Sequence, residues 1–169
     1  MSNVYPNTFP PSKKTRDFAL ADTVISFADT TPYVVAAGTT IAPDTLVLLD
    51  AINPITVVEA TTGTPVVGTD TVYGVAMTYS TNTATTDGQV VVAKLLPNQT
   101  FRVKLNTALA NQAAVDAIIG NQYLIQSSTD ADGFIHQVLD NSVASSGTAM
   151  IMVVDADYTT DTALVKIIA

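Results

Sequence analysis

The apolar residues of this 169-residue chain come in short runs, each closed within a few positions by Gly, Pro, Asn or Asp. Runs of that length suit strands of about 4–8 residues between turns, not long helices. TVISF at 23–27 alternates, and residues 33–37 form a second run ended by Gly38. IAPD at 41–44 reads as a turn, with its Pro preset for the bend. LVLL at 46–49 is continuously apolar, which fits a strand covered on both faces. Asn53-Pro54 marks another turn before a strand at 55–60. Residues 61–70 are loop-rich, with Gly63, Pro65 and Gly68.

TVYGVAMT at 71–78 reads as a strand in which Gly74 marks a bulge or a close backbone approach. A Thr-rich connector over 80–88 ends in Asp87-Gly88, a strong hairpin signal. QVVVAKLL at 89–96 and FRVKL at 101–105 follow, parted by Pro97-Asn98. In FRVKL the alternation turns Phe101, Val103 and Leu105 one way and Arg102 and Lys104 the other. Runs at 123–126, 134–139, 149–154 and 163–168 complete the strand series, with DADG at 130–133 as the hairpin between the first two. The single helical signal is at 111–119, rich in Ala with an apolar face and followed by Gly120 in the position of a left-handed C-terminal cap. The chain has 26 Thr residues, whose stiff, branched side chains suit a pleated, half-exposed surface. The expected fold is all-β: a sandwich or barrel of about ten short strands with one short helix. No period of 20–50 residues is present, which argues against a solenoid.

Charge is segregated. Lys13, Lys14 and Arg16 fall in the first sixteen residues, which hold no acid. From Asp17 to Ala93 there is no Lys or Arg, against eight carboxylates. Of seven basic residues in the chain, four remain to set against fifteen Asp and Glu, within a formal net charge of −8. The division expected is an extended, basic, Pro-rich N-terminal arm at 1–16 and a single β domain at 17–169. Pro6, Pro10 and Pro11 hold the arm extended. Tyr5 and Phe9 have no local apolar partner. The arm reads either as a disordered tail or as a segment whose Tyr5, Phe9, Lys13, Lys14 and Arg16 dock on a neighbouring protein.

Several classes of function are disfavoured. Without Cys there is no disulfide, thiolate–zinc or thiol chemistry. The acidic body repels phosphate, so no nucleic-acid partner is expected. No apolar run is long enough for a membrane helix, and no signal segment opens the chain, so synthesis in the cytoplasm is the expectation. There is no P-loop, nucleophile elbow or paired-His zinc motif. His136 is the lone histidine. On a strand it shares a face with Phe134 and Val138 and reads as structural. Asp130 and Asp132 begin like a calcium loop, but the twelfth position is Asn141, and a turn is the better reading. Asp155 and Asp157, with Asp161 nearby, form a solvated acidic loop in preference to a cation site. No cofactor, metal site or catalytic residue is expected. The helix reads as packing for an open barrel end in preference to a partner-binding element.

Four segments, in this order, resemble those of tailed-bacteriophage capsid decoration (cement) proteins. LVLLD at 46–50 with VVEA at 57–60 resembles the family's paired strands, and VYGVA at 72–76 its V-x-G-V-A strand. DGQVVV at 87–92 resembles the hairpin that follows. VKL at 103–105, through a short helix to GNQY at 120–123, resembles the later strand–helix–strand passage. The resemblance covers residues 40–168 and leaves the arm outside. It implies a structural protein on the outer surface of a phage head, at local symmetry axes. There it bridges neighbouring major capsid subunits, is self-associated as a trimer in preference to a dimer, and is located in the virion. Which surface meets the capsid, and whether the arm docks on the capsid or on a sister subunit, both stay open. A ligand- or glycan-binding β module of a phage fibre or surface appendage is the alternative, with the Thr-rich stretch at 80–86 as its hydrogen-bonding loop.

Overall fold

Short strands need partners on both edges to satisfy their backbones, and the chain supplies them by folding into two interlocked sheets. The structure, a computed structural model, describes residues 18–20, 30–94, 99–129 and 135–168. Its strands are β1 (Phe18–Leu20), β2 (Thr30–Val35), β3 (Leu46–Leu49), β4 (Val57–Glu59), β5 (Val72–Ala76), β6 (Gly88–Lys94) and β7 (Thr100–Lys104). After α1 (Gln112–Ile118) come β8 (Gln122–Tyr123), β9 (Ile125–Thr129), β10 (Ile135–Leu139), β11 (Ile151–Asp157) and β12 (Thr162–Ile167). The all-β expectation holds, and between sandwich and barrel the sheets choose a nearly closed barrel. The expected strand at 23–27, the turn at 130–133, Pro97-Asn98 and the whole arm at 1–16 lie outside the described residues.

One sheet has the order β2-β6-β5-β3-β4, antiparallel throughout. It curls until β4 meets β2 again, through a parallel bridge between Val34 and Thr56. Val35, Ile41, Val47, Val57, Ala76, Val90 and Val92 fill the space it encloses. The curl has a local cause at Gly74. The β3–β5 register shifts between Val47 and Leu48, so that Val47 pairs with Gly74 and Leu48 with Val72, leaving Tyr73 bulged out of the ladder. Both sequence readings of Gly74 are therefore met: it sits in a bulge, and a Cβ there would collide with the carbonyl oxygen of Ala93.

A second sheet has the order β1-β7-β12-β11-β8. The chain steps from β8 across Leu124 into β9, β9 pairs with β10, and a bridge from Leu139 to Leu105 returns to the end of β7. The run expected at 123–126 is thus two strands, split at Leu124. The main core lies here, and it includes Phe101, Val103, Leu105, Ile151, Val153 and Val165. FRVKL alternates as expected, with Arg102 and Lys104 outward. The same core takes Leu46, Leu48 and Val75 from the outer face of the first sheet, so β3 is covered on both sides as its unbroken apolar run required.

The loop-rich stretch at 61–70 straps the two sheets together. Gly63 donates to Ile125, Ile125 to Thr64, Val67 to Thr148 and Met150 to Pro65, all through backbone groups. The helix belongs to the core as well. Asn111 caps it by accepting from the Ala114 N–H at 3.1 Å, and Gly120 leaves it at φ 81°. Val115 and Ile118 are its buried face. Each such burial contributes about 1.5–3 kcal/mol, which offsets the weakness of so short a helix alone.

Asp87-Gly88 does not form a tight two-residue turn. The β5–β6 connection is a long excursion over 77–87 that folds back on itself, with Asn82 donating to Ala36 and Thr39. Asp87 accepts the Ala37 N–H at 2.8 Å and anchors the far side of this excursion. Gly88 is required because a Cβ would run into the backbone of Asn82.

Candidate interaction surfaces

The arm residues singled out from the sequence, Tyr5, Phe9, Lys13, Lys14 and Arg16, all lie outside the described residues. Among the described residues no group of three or more His, Asp or Glu could hold a metal ion. No helix there is long and apolar enough to cross a membrane. His136 stands on β10 opposite Ser128 of β9, half-buried. The acidic residues of the C-terminal hairpin do not converge. Asp155 accepts the Ala156 N–H, Asp157 accepts from Thr159 and Thr160, and Asp161 accepts the Leu109 N–H.

Sequence reasoning passed over His136's neighbour, Gln137, which is fully buried. Its Oε1 accepts the Leu46 N–H at 2.7 Å. Its Nε2 donates to the carbonyl oxygens of Leu46, at 3.1 Å, and Ala60, at 2.7 Å. One amide from the second sheet thus completes the edge of the first, where β3 and β4 splay. The available signal was alternation, which sets Gln137 on the same inward face as Leu139.

The clearest outward feature is the β3–β4 loop. Ile52 is 95% exposed and Ile55 64% exposed, and Ala51 and Pro54 are exposed beside them. Large aliphatics are rarely held so far into water without a partner. This loop is also locally braced. Asp50 accepts the Ile52 and Asn53 N–H groups at 2.7 and 3.0 Å, the Thr56 N–H donates to Asn53, and the Asp50 N–H donates to Thr56. The two backbone donors hold the Asp50 carboxyl below its usual range. A short apolar prong is the result, fixed at its base by one carboxylate.

A second cluster joins Tyr33, Tyr73 and Lys94. The bulge turns Tyr73 toward Tyr33, their hydroxyls hydrogen-bond, and the rings stand 4.4 Å apart at 53°. Lys94 Nζ lies 5.5 Å from the Tyr73 ring, a cation–π distance. The hydrogen bond to Tyr73, with burial behind it, pushes the Tyr33 hydroxyl above its usual range. Tyr73 likewise raises Lys94.

The carboxylate braces set the acid behaviour. Asp50 is lowered by the backbone groups of Ile52 and Asn53, and Asp157 chiefly by the Thr159 hydroxyl. A carboxyl whose pKa is lower in the folded state stabilises the fold above its unfolded pKa near 4 and loses that effect as pH falls through the folded value. The melting temperature is therefore level from pH 7 to about 5 and falls below about 4. Calorimetry across that range checks this. In D50N and D157N variants the acid-side fall should be shallower.

Comparison with known protein families, with curated proteins and with solved structures returns no match. The fold defines an all-β protein with a nearly closed barrel, and its exposed features are surfaces for contact.

Proposed function

We propose that this chain is a structural capsid decoration protein, binding the outer surface of a phage head and bridging neighbouring major capsid subunits. The observation that carries the reading is where the resembling segments fall. LVLLD and VVEA become β3 and β4, VYGVA becomes β5 and DGQVVV lies in β6, so that they form four neighbouring strands of one sheet. The tip of that same sheet is the braced Ile52–Ile55 prong, and apolar anchors of this kind carry most of the energy of protein contacts. In this reading the chain turns over no substrate and needs no cofactor. The basic arm at 1–16 spans a seam between capsid subunits. Ordering it costs roughly 1–2 kcal/mol per residue, which only a sizeable partner surface offsets. Many copies on one shell multiply each modest contact.

The test is co-sedimentation with empty phage shells, together with the shells' melting temperature. The protein should pellet with shells and raise that temperature. Ile52→Asp with Ile55→Asp should weaken binding by at least about tenfold, the change that follows from losing about 1.4 kcal/mol, with no change in the protein's own melting temperature. Changing Lys13, Lys14 and Arg16 to Glu should also release it. Shell binding untouched by either set would sink the reading.

A glycan-binding module remains the second reading. It has less to draw on, because the 80–86 loop turns its polar groups inward. The Ser80 hydroxyl accepts the Ile41 N–H, the Thr81 hydroxyl accepts the Gln89 N–H, and the Asn82 amide bonds to Ala36 and Thr39.

A further inference from the structure

We infer that the outer face of β7, β12 and β11 is a docking surface for the acidic sheet of a second copy of this chain. This deepens the self-association part of the proposed function and rests on it. The register places the residues. Antiparallel partners share a face. Arg102 pairs with Leu164, Lys104 with Thr162 and Thr100 with Lys166. Lys166 in turn pairs with Met152 on β11. Arg102, Lys104 and Lys166, three of the four basic side chains among the described residues, therefore gather on one face. Diagonal neighbours such as Arg102 and Lys166 stand about 7–8 Å apart.

The middle of this face is apolar. Leu164 and Met152 are half-buried within it. The β11–β12 register shifts between Val153 and Asp155, and this bulge turns Val154 outward, 40% exposed. The carboxylates in the neighbouring rows, Asp155 and Asp157, are turned to N–H and hydroxyl groups of their own hairpin. An apolar centre edged by cations is the anatomy of a protein–protein contact.

The occupant follows from charge. The sheet formed by residues 30–93 carries Asp44, Asp50, Glu59, Asp70 and Asp87 and no Lys or Arg. A polyanionic ligand is opposed by the net charge of −8. Each copy thus holds one cationic patch and one acid-only sheet. Two different surfaces meeting head to tail make a heterologous contact, which closes into a ring where the rotation allows.

The test is sedimentation velocity of the full chain without shells, so that its result stands apart from capsid binding. At 50 mM salt the wild type should form concentration-dependent oligomers, and 500 mM salt should weaken them, because screening lengths shrink to a few ångströms (about 3 Å at 1 M). The R102E/K104E/K166E variant should be monomeric with an unchanged melting temperature. It keeps its acidic sheet, so the wild type should still capture it in a 1:1 mixture. Val154→Asp alone should weaken association at least about tenfold. A wild type that stays monomeric at low salt overturns the inference. So does a triple variant that associates as well as the wild type, or one that the wild type fails to capture. Should the triple variant not fold, Val154→Asp and the salt dependence of the wild type decide the matter alone.

Discussion

Gln137→Ala should lower the melting temperature of the purified protein by roughly 10 °C. The side chain is fully buried and carries three hydrogen bonds to the backbone of Leu46 and Ala60. Removing it leaves the Leu46 N–H without its partner, at about 1–3 kcal/mol, and opens a cavity of a size that costs about 2–5 kcal/mol. The Leu46 carbonyl keeps the Ala60 N–H at 3.0 Å, so the loss falls on the donor at Leu46 and the acceptor at Ala60. For a chain of this size each kcal/mol moves the midpoint by about 2–4 °C. Gln137→Leu separates the two causes. It restores volume and not hydrogen bonds, and should recover about half of the fall. Thermal melts followed by circular dichroism check both. A Gln137→Ala midpoint within about 2 °C of wild type would show that the amide does not join the sheets.

Gly74→Ala should be as damaging, for a different reason. The added methyl meets the Ala93 carbonyl oxygen, and Val92 Cγ1 at 2.6 Å. The obstacle on one side is backbone of the adjacent strand, which cannot swing aside as a side chain does. Relief requires β5 and β6 to part at the Gly74–Lys94 and Val75–Ala93 pairs. We expect a loss of about 3 kcal/mol or more, within the range of severe single substitutions, or failure to accumulate as folded protein. Gly63→Ala is the control, since nothing lies within 4 Å of its added methyl and only its φ of 86° opposes the change. Soluble yield and melting temperature compare the two. A Gly74→Ala protein as stable as Gly63→Ala would refute the close approach.

The strands were legible because their signal is local. LVLL, VYGVA, QVVVAK and FRVK each carry their own alternation or apolar run, and each became a strand within a residue or two of its expected bounds. The helix was legible from its Ala content and Gly120. What was not legible depends on partners far along the chain. Phe18–Leu20 is too short to announce itself and is a strand because β7 offers an open edge. Gln137 looks like any strand glutamine until Leu46, 91 positions away, turns its N–H toward it. The break at Leu124 leaves no mark in an apolar run. The prong was half legible. Asn53-Pro54 marked a turn, but nothing in the order of residues tells an exposed Ile52 from a buried one.

The acidity has a local account as well. Fourteen of the fifteen acids are Asp, whose short side chain reaches back to nearby backbone as Glu does not. Asp50, Asp70, Asp87 and Asp161 each accept backbone N–H groups that fix loops. The loop between the sequence's two most apolar early strands is thus shaped by a charge, and the negative surface is a by-product of how the turns are made.

Strand β7 lies between the first described strand and the last. Phe18 and Ala163 both pair with Val103, one from each side. Tension on the chain ahead of Phe18, directed along the strand, would load the Phe18, Ala19 and Leu20 pairings together and not peel them one by one. The load would pass sideways through β7 into β12 and the main core. A body tethered in this way resists a lateral tug better than an outward lift, a direction-dependent strength that single-molecule pulling along the two axes would register.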